Sequence, residues 1–166
     1  MKKKKLVTYL CSGMEYKRKG GTEWRKKITK LLDETFYIDI QDPTKDESKK
    51  TGMSLANSIL SLKRWKKTGQ VKKIQSMMKR VIEFDINCVK QCDFMIVYWE
   101  AQVPTTGTIA EIQVAYDNNV PILFITADKL SDISSWLIAE WTERFKNFNE
   151  LIIYLKGRYN KYIKES

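Results

Sequence analysis

Apolar residues fall along this chain in two alternating textures. Short, mostly apolar runs come first: Leu6 to Cys11, Phe36 to Ile40 (interrupted by Asp39), Phe94 to Trp99 and Val120 to Thr126. Runs of that length and continuity predict strands buried on both faces. Between them the apolar positions recur every three or four residues, as on one face of a helix. Trp24, Ile28, Leu31 and Leu32 predict a helix over Glu23 to Leu32, capped by Thr22. Leu55, Ile59 and Leu62 predict one over Ser54 to Trp65. Ile74, Met77, Met78, Val81, Ile82, Ile86 and Val89 predict a longer one over Val71 to Cys92, after a break at Thr68-Gly69. Further helices are expected over Thr108 to Asn118 and Ser134 to Phe145, and a short fifth strand over Leu151 to Leu155. Lys45 to Thr51 reads as polar loop and Gly157 onward as a basic tail.

Buried strands alternating with amphipathic helices define an α/β domain, a four- to five-stranded parallel sheet with helices on both faces. No repeat or internal boundary divides it, so residues 1–166 read as a single domain. Open sheets of this kind bind ligands off the carboxyl ends of their strands. The stretch from Asp85 to Glu111 crosses such an end: a helix carrying Asp85, a buried strand, then a Pro-Thr-Thr-Gly-Thr turn opening a helix with Glu111 in its first turn.

Charge and composition narrow the chemistry. Lys and Arg number 30 against 20 acidic residues, a net charge of +10 that steers anionic partners toward the protein. There is no histidine, which removes Ser-His-Asp triads, Cys-His dyads and His-containing zinc sites. Acid–base work falls to carboxylates, tyrosines, lysines or cysteines. Cys11, Cys88 and Cys92 form no C-x-x-C pattern and read as small buried residues. The Lys2 to Lys5 start, with Leu6 to Leu10 after it, is too short in its apolar part for a signal peptide, and Glu15 and Lys17 interrupt any continuation of it. No apolar run reaches the length of a membrane span, so the cytoplasm is the expected compartment.

Several residues are candidates for function, each with a plainer alternative. Thr108-x-x-Glu111 fits a capping box, and Glu111 equally fits a carboxylate kept ionised by helix amides for attack on an anomeric carbon. Asp85, between Phe84 and Ile86, is costly on an apolar helix without a partner or a task. Asp93 fits either a ligand contact or a cap on the start of a buried strand. Tyr9 is either packing or an orienting hydroxyl beside Glu111. The Ser12-Gly13 turn and Gly20-Gly21-Thr22, with Lys17, Arg18, Lys19 and Arg25, fit a phosphate cradle built on backbone amides or a solvated basic loop. Lys63-Arg64-Trp65-Lys66-Lys67 with Lys72-Lys73 fits a nucleic-acid contact or a solvated helix face. The lack of repeated aromatic-basic elements argues against nucleic acid.

Val7-Thr8-Tyr9-Leu10-Cys11-Ser12-Gly13, Asp85 with Asp93, and Gly107-Thr108-Ile109-Ala110-Glu111-Ile112-Gln113-Val114-Ala115-Tyr116 together resemble the nucleoside 2-deoxyribosyltransferase family, which includes 5′-monophosphate N-glycosidases. The resemblance runs from Lys5 to about Thr126 and implies a flavodoxin-like (Rossmann-like) fold. It implies Glu111 as the nucleophile at C1′, Tyr9 as its hydrogen-bond partner, and Asp85 as a contact to the base that helps protonate it. Members acting on free nucleosides carry an acid where this chain has Thr105. Nucleotide-hydrolysing members carry a small hydroxyl residue there and a phosphate loop similar to Ser12-Gly13-Met14 with Gly20-Gly21. With Arg25 and Gly107 close by, the pattern implies a nucleoside 5′-monophosphate substrate, no metal or cofactor, and a homo-oligomer. A transferase on free nucleosides and a nucleotide-binding module without turnover are the rival readings.

Overall fold

The structure is a computed structural model and describes residues 5–14, 21–103 and 105–165. Five parallel strands form one sheet in the order β2-β1-β3-β4-β5. They are β1 (Leu6–Cys11), β2 (Ile38–Gln41), β3 (Phe94–Tyr98), β4 (Ile122–Ile125) and β5 (Glu143–Phe145). Among the described residues, seven α-helices connect and cover them: α1 (Thr22–Thr35), α2 (Glu47–Thr51), α3 (Leu55–Lys67), α4 (Val71–Gln91), α5 (Thr106–Asp117), α6 (Ser135–Glu140) and α7 (Phe148–Arg158). This is the flavodoxin-like α/β arrangement. The connection from β1 runs outward to β2, and the chain then returns to lay β3 on the other side of β1. The connections that leave the carboxyl ends of the paired strands β1 and β3 therefore run in opposite directions, and that switch point is where such sheets hold ligands.

The continuous apolar runs are explained by two separate cores. Alternate residues of each strand face opposite ways. Leu6, Leu10, Phe94, Ile96, Leu123 and Ile125 pack under α1 and α7 with Trp24, Ile28, Leu151 and Leu155. Tyr9, Cys11, Met95, Val97 and Phe124 pack under α4 and α5 with Val89, Ile112 and Ala115. Tyr9 and Cys11 thus share one face of β1, the face that α5 covers.

Several sequence expectations are corrected. Lys45 to Thr51 is not all loop, because Glu47–Thr51 forms α2 with Glu47, Lys50 and Thr51 buried. Leu151 to Leu155 is helix, not strand: Leu151 and Leu155 are buried one turn apart, while Ile153 stands 71% exposed. The fifth strand is Glu143–Phe145, inside the span expected to be helical, which stops at Glu140. Beyond Gly157 the chain is not a loose tail. It finishes α7, makes a 3-10 turn over Asn160–Tyr162, and pairs Ile163 with Phe36 beside the edge strand. Gly21, in a left-handed conformation (φ 67°), occupies the N-cap position of α1, and Thr22 is the first helical residue.

Candidate active site

Glu111 stands over the switch point. Its helix opens at Thr106 with Thr105 in the N-cap position, so Glu111 lies in the second turn of α5 and not the first. The capping box does not form, and the side chain turns instead toward β1. Tyr9 donates its hydroxyl to Glu111 Oε1 at 2.9 Å, and Cys11 donates its thiol to Oε2 at 2.8 Å. The carboxyl is held at both oxygens by two donors from alternate residues of one strand. Burial pushes its pKa up to about 7, the Asp85 charge adds to the rise, and the Cys11, Tyr9 and Arg25 groups oppose it. Helix amides do not keep it ionised as the sequence suggested. It is a poised group that exchanges its proton near neutrality. Burial raises Tyr9 and Cys11 well above their usual ranges, so both stay protonated as donors.

Asp85 is buried in α4, and sequence reasoning missed its partner. Lys50, at the end of α2 with a fully buried side chain, places Nζ 3.1 Å from Asp85 Oδ1 and 3.3 Å from Oδ2. The same ammonium lies 3.3 Å from Glu47 Oε2. Burial raises the Asp85 pKa, and Lys50 works against the rise. The ammonium is the reason α2 exists where the sequence showed no apolar face: its inward side is ionic. The signal available beforehand was the Glu47-x-x-Lys50 spacing together with a buried aspartate that needed a cation.

The remaining candidates divide by position. Ser12 and Gly13 are buried at the carboxyl end of β1, with Met14 half-buried beyond them. Thr105 and Gly107 lie at the start of α5, whose first internal bond runs from the Ile109 amide to the Thr105 carbonyl at 3.0 Å. The amides ahead of that bond form a helix N-terminus at the same sheet edge. A Cβ on Gly107 would meet nothing within 4 Å, so no steric demand for glycine exists there. Arg25 is turned into the protein: Nη2 donates to the Ser12 carbonyl (3.2 Å), Nη1 to the Gly21 carbonyl (3.1 Å), and Nε lies 3.5 Å from Asp42. It braces the two ends of the β1–α1 connection. Lys17, Arg18, Lys19 and Gly20 lie outside the described residues.

Asp93 is not brought to the site. It precedes β3 at the amino edge of the sheet and accepts the Val7 amide at 2.8 Å, which makes it a cap on the strand pair. Among the described residues, no group of three or more metal-ligating side chains occurs. No helix of the described residues is long and apolar enough to cross a membrane. Away from Glu111, a cavity of about 300 Å³ is lined by Met53, Trp65, Lys72, Lys73, Ser76, Met77 and Arg80. It takes in part of the basic patch, most of which is a solvated helix surface.

A carboxyl gripped at the β1–β3 switch point of a 2-1-3-4-5 sheet defines the architectural class, a flavodoxin-like α/β protein with a buried-edge glutamate on the helix after β3. The particular version of that fold is the one found in a 2-deoxyribosyltransferase from Bacillus psychrosaccharolyticus. That structure superposes with a TM-score of 0.65 at 13% identity, over 96% of this chain and 98% of the other. A conserved protein from Enterococcus faecalis V583 superposes at 0.59 and 12% identity, over 93% and 99% of the two chains. A CMP N-glycosidase from Clostridium botulinum gives 0.47 and 14% over 90% and 98%. No protein-family model and no curated protein matches the sequence.

Proposed function

We propose that this protein is an enzyme that breaks or exchanges the N-glycosidic bond of nucleoside 5′-monophosphates, with Glu111 as nucleophile. The observation that carries the reading is the Glu111 carboxyl, held by Tyr9 and Cys11 at the switch point with its pKa moved to about 7. A capping or packing glutamate has no use for that arrangement. The motif resemblance and the fold shared with a deoxyribosyltransferase support it.

Deprotonated Glu111 attacks C1′ as positive charge develops on the sugar, forming a glycosyl-enzyme intermediate. The C1′–N bond breaks, and the departing base takes a proton from water held by the Asp85 carboxylate, itself fixed by the Lys50 ammonium. Water then hydrolyses the ester, or a second base displaces it. The 5′-phosphate sits against the Ser12-Gly13-Met14 turn and the amides at the start of α5, with Thr105 offering a hydroxyl where an acid would repel the dianion. Gly21 and Arg25 shape the turn from below.

The test is chromatography of the purified protein with each ribo- and deoxynucleoside 5′-monophosphate and the matching nucleosides, with and without a free acceptor base. Free base released from a monophosphate, and abolished in Glu111→Gln while binding persists, is the expected result. A swapped base marks a transferase. Unchanged turnover in Glu111→Gln would overturn the assignment.

A further inference from the structure

We infer that Cys11 is a positioning residue that fixes the second oxygen of Glu111 and, because a thiol is a weak donor, leaves that carboxylate basic enough to react. The inference rests on the glycosyl-transfer reading above and adds to it a residue that the motif resemblance does not supply.

Geometry carries the argument. Cys11 is fully buried at the end of β1, on the same face as Tyr9. Its sulfur has two acceptors in range, Glu111 Oε2 at 2.8 Å and the Thr108 carbonyl at 4.0 Å. A thiol has one proton to give, and the shorter distance assigns it to the carboxyl. Tyr9 already holds Oε1 at 2.9 Å. With both oxygens tethered to one rigid strand, the carboxyl plane is fixed relative to the switch point. Productive attack needs that orientation held within a fraction of an ångström.

The choice of sulfur then has a chemical meaning. Hydrogen bonds to a carboxylate favour its charged form and lower its pKa. A hydroxyl at this position would bind the charge more strongly, and a weaker, more stabilised carboxylate makes a poorer nucleophile. An apolar residue would leave Oε2 without a donor in a buried setting, and the carboxyl would keep its proton. The thiol lies between these limits. It holds the oxygen in place and leaves the basicity near neutral.

The experiment is a three-member series, Cys11→Ala, wild type and Cys11→Ser. Each protein is checked for folding by near-ultraviolet circular dichroism. The pH dependence of kcat/KM is measured with the best monophosphate, and the Glu111 carboxyl is titrated by carbon-13 NMR in protein labelled at glutamate. The expected order of the acid limb is Ala highest, wild type near pH 7, Ser lowest, with steps of roughly half to one pH unit. The NMR titration should follow the same order. kcat should fall in both variants, more than tenfold in Ala, with KM little changed. A limb and a titration that stay put across the series would overturn the inference. A residue that merely fills space would move neither in opposite directions. If no substrate is turned over by the wild type, the glycosyl-transfer reading fails on its own, and the NMR order alone still decides whether Cys11 governs Glu111.

Discussion

Glu111 couples stability to pH through a single proton. In the folded chain its pKa lies at about 7, against 4.5 for an unburied glutamate. The folded state therefore binds this proton more tightly than the unfolded state. The favourable contribution is complete below about 4.5 and is lost as pH climbs through about 7. Glu111→Gln removes the dependence. Urea unfolding of the two proteins should show the variant gaining on wild type between pH 5 and pH 8, by about 1–2 kcal/mol once solvent screening of a half-buried group is allowed for. A constant difference across that range would mean the carboxyl is not held as described. The same residue shows where the sequence stops being informative. Thr108-x-x-Glu111 satisfies the capping-box spacing, and only the helix start at Thr106 decides otherwise. Cys11 was legible as buried but not as a donor, because its partner is separated from it by 100 residues.

At the scale of elements, periodicity exposed whatever is apolar on one side and nothing else. Helices α1, α3 and α4 and strands β1, β3 and β4 announce themselves this way, with ends displaced by a few residues. Helix α2 does not, since Glu47-Ser48-Lys49-Lys50-Thr51 contains no apolar residue. Its inward face is the Glu47–Lys50–Asp85 cluster, which no hydrophobic pattern encodes. Strand β5 is three residues with one aromatic, too short to register. Helix α7 is hidden because Leu151 to Leu155 is an apolar run in which a period of two and a period of 3.6 fit about equally well. The ionic cluster makes a quantitative claim. Lys50→Met strands two buried carboxylates, so the variant should lose about 3–5 kcal/mol in urea unfolding. Adding Asp85→Asn should restore part of that loss. A loss below about 1 kcal/mol would show that α2 is held by something other than its ion pairs.

For the molecule as a whole, the legible part was the class of sheet and the edge at which Tyr9, Cys11 and Glu111 meet, both consequences of buried strands alternating with helices. The +10 charge acts at this scale too. Such a charge attracts anions from beyond contact range, and added salt shortens that reach. With a nucleoside 5′-monophosphate, kcat/KM should fall several-fold between roughly 20 and 200 mM sodium chloride, while the same measurement with an uncharged nucleoside stays nearly level. Equal salt sensitivity for both would assign the effect to the protein's stability and not to attraction of the substrate.

The grip on Glu111 has a consequence for how the protein comes into being. Tyr9 and Glu111 are 102 positions apart, and Cys11 and Glu111 are 100. About three-fifths of the chain must loop out and return before the Glu111 carboxyl meets the two donors that hold it. Contacts of such separation form late, after local helices have appeared, because the closure entropy is paid first. The grip on Glu111 thus belongs to the finished sheet and to no shorter continuous piece. During refolding, helical signal should return ahead of the raised Glu111 titration, because the carboxyl stays an ordinary, solvated glutamate until β1 and α5 have met.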